Sequence, residues 1–176
     1  MLPMKLSTLI TGAQIQERVQ EIGKQLTDKY QNEDLMAVCT LNGSFMFYAD
    51  LIREIDRDIL CEFVGVSSYE NASTSSGEVK VTLDLNTSIR GKNILLIEDI
   101  VDTGLTMNFL RSHLESKGAK NIETATLLLK PDALQTECHL DHIGFEIPDE
   151  FVVGYGLDYQ QYFRNLTYIA KVENIN

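Results

Sequence analysis

The sequence predicts an α/β domain with a parallel sheet covered on both faces. Residues 93–97 (Asn93-Ile94-Leu95-Leu96-Ile97) form a near-continuous apolar run of strand length, and 122–129 reads as a second buried strand. Strands that read this way are buried on both sides, as at the centre of a parallel sheet. Between them, 106–114 has helical character and is closed by Gly118. The connections are short, so strand, helix and strand form one unit of the kind that builds α/β domains.

The other elements follow in chain order. Thr11 with Gln14 three residues on is a capping-box pattern, and Ile15, Val19, Ile22, Leu26 and Tyr30 then fall at helical spacing, predicting an amphipathic helix over 12–30. Residues 35–41 form a short apolar run that ends at Asn42-Gly43-Ser44, and a second helix is expected over 45–55. Strands are expected over 59–66 and 79–85. The intervening 67–78, with Ser67, Ser68, Ser73, Thr74, Ser75, Ser76 and Gly77, has almost nothing to bury. It is expected to be a long, mobile hairpin loop, either a lid over a site or merely solvated. The stretch 145–172 alternates short strands (152–155 and 167–172) with turns and is expected to form an appended lobe.

Bulk composition narrows the function. With 176 residues and 44% apolar content, one compact domain with one core is expected. There is no internal repeat, the apolar runs are too short to span a membrane, and the first ten residues lead too quickly into Gln14, Gln16 and Glu17 to read as a secretory signal, so a cytoplasmic location is expected. Cys39, Cys61 and Cys138 cannot all pair and none lies in a CxxC; Cys39 and Cys61 are expected to be buried free thiols. The net charge of −11, from 15 Lys+Arg against 26 Asp+Glu, argues against a nucleic-acid surface. It does not exclude a small phosphorylated ligand, which backbone amides, a few cations and a metal ion can hold.

The most informative stretch is Ile94-Leu95-Leu96-Ile97-Glu98-Asp99-Ile100-Val101-Asp102-Thr103-Gly104-Leu105-Thr106. Four apolar residues give way to acids where a parallel strand is expected to end, the place where open α/β sheets bind ligands. Asp102 to Thr106 then open a helix, whose free N–H groups and positive dipole end form a phosphate cradle. Acids beside an anion cradle suit a phosphorylated ribose. Glu98 and Asp99 would take the 2′ and 3′ hydroxyls, and the loop the 5′-phosphate.

That stretch resembles the phosphoribosyl-pyrophosphate motif of the purine phosphoribosyltransferases. Leu41-Asn42-Gly43-Ser44-Phe45-Met46-Phe47 resembles the family's pyrophosphate loop, and Val66-Ser67-Ser68-Tyr69 through Ser75-Ser76-Gly77-Glu78-Val79 its closing lid. Leu127-Leu128-Leu129-Lys130-Pro131 and the stretch from Gly144 to Tyr155 resemble its purine-binding portions. The similarity covers nearly the whole chain and points to the hypoxanthine/guanine branch. It implies a type I phosphoribosyltransferase fold: a mostly parallel twisted sheet flanked by helices, with a small hood lobe and a flexible lid hairpin. The implied division is a single domain over 1–176, with the core at about 33–142 and the hood at about 1–12 and 143–176.

The resemblance also implies roles. Asp102 would sit near N7 of the base as general base or proton acceptor, an ionised carboxylate at a helix N-terminus. Glu98, Asp99, Asp102, Thr103, Gly104, Leu105 and Thr106 would hold the phosphoribosyl group. Asn42, Gly43 and Arg164 would bind pyrophosphate. Lys130 would donate to O6 and prefer oxo over amino purines, Phe151 would stack on the ring, and the backbone of Val152 would read the pyrimidine edge. Asp158 would contact magnesium, with Glu98 and Asp99 as the other candidate metal ligands. Ser68 and Tyr69 would close over the reaction centre. The partners implied are phosphoribosyl pyrophosphate, 6-oxopurine bases and a second copy of the chain, as homodimer or homotetramer. Asn42 stands where relatives often carry Lys or Arg, and the Leu41–Asn42 bond is expected to be cis.

Duller readings stand beside these. On spacing alone, Lys130 is a solvated strand-end lysine, Phe151 a core residue, and Asp158 with Arg164 an exposed ion pair. Cys138-His139-Leu140-Asp141-His142 offers metal-ligand types, but in an expected surface loop with no support elsewhere. Gly154-Tyr155-Gly156 lacks the third glycine and following helix of a dinucleotide fingerprint. Two other functions compete. A phospho-accepting receiver needs several βα units between its acids and its lysine, whereas only 31 residues separate Asp99 from Lys130. A non-catalytic binder of phosphoribosyl pyrophosphate acting on nucleic acid would need a basic face.

Overall fold

Parallel pairing organises most of the chain. The computed structural model describes residues 5–68 and 79–173. In order these form β1 (Lys5–Ile10), α1 (Gly12–Lys29), β2 (Leu35–Leu41), α2 (Phe45–Glu54), β3 (Leu60–Ser68), β4 (Val79–Leu83), β5 (Asn93–Val101), α3 (Leu105–Ser116), β6 (Asn121–Leu129), β7 (His142–Glu146), β8 (Val152–Val153) and β9 (Ile169–Glu173). The main sheet has the order β4-β3-β2-β5-β6-β7. Every pair in it is parallel except the β3–β4 hairpin. This is the α/β architecture expected, with the mostly parallel sheet between helices.

Alternation along the central strands explains the two-sided burial. Ala37, Cys39, Leu95, Ile97 and Ala125 pack with Ile15, Val19, Ile22 and Leu26 of α1 and Phe47 and Leu51 of α2. Met36, Val38, Ile94 and Leu96 face the other way, onto Met107, Leu110 and Leu114 of α3. Strands with both faces covered are apolar at most positions on either side. At the start of α1, the Thr11 side chain accepts from the Gln14 amide, and the Gln14 side chain accepts from the Thr11 amide, completing the capping box.

Several expectations need correction. The central strand does not stop at Ile97. It runs to Val101, with Glu98 opposite Thr126 and Ile100 opposite Leu128, because ladder pairing uses the backbone and tolerates acids at its end. The following helix starts at Leu105 and ends at Ser116. Strands β1 and β7 were not anticipated. Both are edge strands, and His142-Ile143-Gly144-Phe145-Glu146 is only half-buried, so it lacks the apolar run that marks the interior strands. Consequently the main sheet extends through Glu146, into the part expected to be appended. Cys61 is exposed, not buried: β3 buries Glu62 and Val64 on one face and leaves Cys61 and Phe63 in the open on the other.

β1, β9 and β8 form a separate antiparallel sheet. Val153, Ala170 and Val172 give it a small core with Tyr159, Phe163 and Tyr168. Among the described residues, no helix is long and apolar enough to cross a membrane.

Candidate active site

From β2 the chain turns through α2 to β3, on one side, and from β5 it turns through α3 to β6, on the other. Adjacent strands whose connections diverge leave a crevice at their carboxyl ends. A cleft of about 440 Å³ opens there. Thr40, Asn42 and Gly43 reach it from the end of β2, Glu98, Asp99 and Asp102 from β5 and the turn after it, and Thr106 from the first turn of α3. Lys130 enters from the end of β6. Phe151, Val152, Asp158 and Arg164 form the wall contributed by the smaller lobe. Eleven of the expected site residues therefore share one cleft.

Five others lie differently. Thr103, Gly104 and Leu105 build the turn into α3 without lining the cleft, and Gly104 takes φ +83°, which glycine adopts without strain. Ser68 is the last residue of β3, and Tyr69 lies outside the described residues, as does nearly all of the expected 67–78 loop. Gly104, before α3, offers no capping side chain, and among the described residues the Leu105 amide donates to the Thr103 hydroxyl at 3.4 Å, a long contact that an anion at the start of the helix would replace.

The loop after β2 is held on three sides. The Leu41–Asn42 peptide is cis, as expected. A Cβ on Gly43 would lie 1.7 Å from Asp99 Oδ2, so only glycine lets this backbone approach the acid. Behind it, a Cβ on Gly156 would lie 2.0 Å from the Gly43 carbonyl oxygen, and Gly156 takes φ +102°. Buried Ser44 donates its hydroxyl to the Thr40 carbonyl oxygen at 2.6 Å. Cys39, 3.2 Å from the Ser44 hydroxyl, has its thiol pushed up to about 11 by burial and packs as an apolar residue.

Burial also raises both acids at the cleft floor. Glu98 is 5% exposed, and its carboxyl is held well above the usual range by burial and then by the neighbouring Asp99. Asp99 is raised by burial, partly offset by backbone amides, Glu98 and the charge of Arg164. Among the described residues the buried Thr40 hydroxyl has no hydrogen-bond partner of normal geometry, although it lies beside the Glu98 carboxyl. Two crowded hard-oxygen ligands and a spare hydroxyl fit a magnesium ion, which keeps several waters and needs only one or two carboxylates besides its substrate.

On the base side, Lys130 is 7% exposed, which rules out a solvated strand-end lysine. Its Nζ lies 3.1 Å from Asp149 Oδ1 and 3.5 Å from Asp102 Oδ2. Phe151 is 43% exposed and is no core residue; Tyr159 meets it edge-on with centroids 5.7 Å apart, leaving its ring available to a ligand. Arg164 and Asp158 do pair, at 2.6 Å, but half-buried in the cleft wall. Arg164 also donates to the Gly156 carbonyl oxygen at 2.7 Å, and Asp158 accepts the Gln161 amide at 2.8 Å, so both side chains are pre-placed. Sequence reasoning missed Thr40, which looks like any strand residue, and Asp149, whose tie to Lys130 spans 19 positions.

His142 opens β7 against Glu123, and His139 contacts Asp141; among the described residues no three metal-ligating side chains converge.

Comparison with known proteins agrees with this geometry. The family model of the phosphoribosyl transferase domain matches residues 8–160. The hypoxanthine-guanine phosphoribosyltransferase of Bacillus subtilis is 48% identical over 162 residues, covering 92% of this chain and 90% of that protein. The Mycobacterium bovis enzyme of the same name is 40% identical, covering 95% and 86%. A crystal structure of the hypoxanthine-guanine phosphoribosyltransferase of Bacillus anthracis superposes with a TM-score of 0.91 at 41% identity, over 97% of this chain and 99% of that one. The chain belongs to the phosphoribosyltransferase family, among the hypoxanthine-guanine phosphoribosyltransferases.

Proposed function

We propose that the protein transfers the 5-phosphoribosyl group of phosphoribosyl pyrophosphate to hypoxanthine and guanine, giving IMP or GMP and pyrophosphate in purine salvage. The observation that carries this is the pairing of buried Lys130 with Asp102 at one end of the cleft, beside the exposed ring of Phe151. A regulator that only bound the ribose phosphate would have no task for that end.

In this reading the base lies on Phe151 with O6 toward Lys130 and its pyrimidine edge toward the Val152 backbone. Glu98 and Asp99 take the ribose hydroxyls, while Asp102, Thr106 and the amides of Thr103, Gly104 and Leu105 surround the 5′-phosphate. As pyrophosphate leaves C1, positive charge builds on the sugar and N9 of the base attacks it. Asp102 takes the proton given up at N7. Arg164 and the Asn42–Gly43 backbone stabilise the departing pyrophosphate. Glu98, Asp99 and Asp158 would hold magnesium, largely through water, and the ion would spread the charge of the leaving group. Ser68 and Tyr69 keep their expected role in closing the site against water. A homodimer or homotetramer in the cytoplasm belongs to the same reading.

The test is a base-by-base assay with phosphoribosyl pyrophosphate and Mg²⁺. Hypoxanthine and guanine should be converted, and adenine and orotate should not. An amino group facing Lys130 sets two donors against each other, which can cost several kcal/mol. Comparable turnover of adenine would remove Lys130 from its role, and no product from any base would end the reading altogether.

A further inference from the structure

We propose that Asp149 is a positioning residue for base recognition: it holds the Lys130 ammonium in the orientation that reads O6. This rests on the proposed function, and it concerns a residue that does not itself line the cleft.

The argument begins with burial. The Lys130 side chain is 9% exposed, and an ammonium that far from water needs carboxylate partners. It has two, from different parts of the fold. Asp102, in the turn after β5, is the more distant at 3.5 Å, and Asp149 the nearer at 3.1 Å. An ammonium has three N–H donors. Two directed at these carboxylates fix the rotation of the group and leave the third for an acceptor in the cleft. Without Asp149, the one carboxylate left to Lys130 among the described residues is Asp102, the proposed proton acceptor. The lysine would then be drawn toward the phosphate side and away from the base.

The backbone around Asp149 is built to hold it. The Ile147 amide donates to the Leu129 carbonyl oxygen at 2.9 Å, anchoring the chain one residue before Lys130. The Glu150 amide closes a turn on the Pro148 carbonyl oxygen at 2.8 Å, and the Glu150 side chain pairs with Lys171 of β9. Two residues after Asp149 comes Phe151, whose carbonyl oxygen accepts the Val172 amide at 3.0 Å. The ion pair thus ties the O6 reader, on the main sheet, to the stacking platform, on the small one. Asp149 itself is 60% exposed, so replacing it leaves no cavity.

Asp149→Asn in the full-length protein tests this. The KM for hypoxanthine should rise by about threefold to tenfold, as expected for one charged tether with an exposed partner. The KM for phosphoribosyl pyrophosphate and kcat should stay within twofold. Preference for hypoxanthine over adenine should fall, and Asp149→Glu should recover part of the loss. An unchanged KM for hypoxanthine, with normal turnover by the unaltered protein, overturns the role of Asp149 alone. Loss of folding, or an equal loss in every parameter, makes its role structural and overturns the assignment too. No nucleotide formation by the unaltered protein overturns the reading of the whole site, and this role with it.

Discussion

Adding one methyl group at Gly43 tests how tightly the cleft is assembled. In Gly43→Ala the new Cβ would stand 1.7 Å from Asp99 Oδ2, against the 3.0 Å below which real Cβ contacts essentially never fall. The deficit is about 1.3 Å, and something must give by that much. The loop cannot retreat, because the Gly43 carbonyl is already packed against Gly156 and Ser44 is buried beneath it with its hydroxyl on the Thr40 carbonyl. Asp99 must therefore swing away, removing one of the two acids proposed to hold the ribose and the metal. A displacement of about 1 Å at a reacting centre costs on the order of 10²-fold in rate. We expect kcat/KM for phosphoribosyl pyrophosphate to fall by about that factor and the Mg²⁺ requirement to rise, with the KM for hypoxanthine nearly unchanged. Steady-state kinetics over a Mg²⁺ series, with thermal unfolding as a control for folding, measures all of this. A loss below about fivefold would mean that Asp99 moves freely and that the close approach has no functional weight.

Asp102→Asn should lower turnover by ~10²–10⁴-fold while weakening phosphoribosyl pyrophosphate binding little, since it keeps size and removes proton affinity; a fall of less than about tenfold, with binding measured separately, would show that Asp102 is not the proton acceptor. Glu123→Gln addresses stability far from the cleft. Burial alone would raise the Glu123 carboxyl, but hydrogen bonds from His142, Lys29 and Tyr30 outweigh it and bring it down to about 2. Against about 4.3 in the unfolded chain, that is worth about 3 kcal/mol, and nearer 2 once screening at the exposed Lys29 is allowed for. A lowered carboxylate contributes fully above the unfolded value and loses its contribution as pH falls through the folded one. The variant should therefore trail the parent by about 2–3 kcal/mol in urea unfolding at pH 7 and by clearly less at pH 3. An equal gap at both pH values would show that packing, not charge, is what the substitution removes.

The interior strands and helices, the two-sided sheet and the motifs were legible along the chain, because each rests on local pattern. Apolar runs, helical spacing and the capping pair at Thr11 and Gln14 act within a few residues, and the acids of 98–102 follow directly on the strand that carries them. Edge strands β1 and β7 were not legible, since a half-buried strand needs no continuous apolar run and its membership depends on a distant partner. Nor was the exposure of Cys61, which turns on which face of β3 a neighbour covers. Candidate site residues could be named from motifs, but their states could not. That Lys130 is buried, that Phe151 is exposed, and that Glu98 and Asp99 are raised by burial depend on how the two sheets close over the cleft. Only the tertiary structure brings Asp149 to Lys130 and Asp99 against Gly43. Contacts between residues 19 or 56 positions apart leave no periodic trace along a chain, because they depend on where strands end in space.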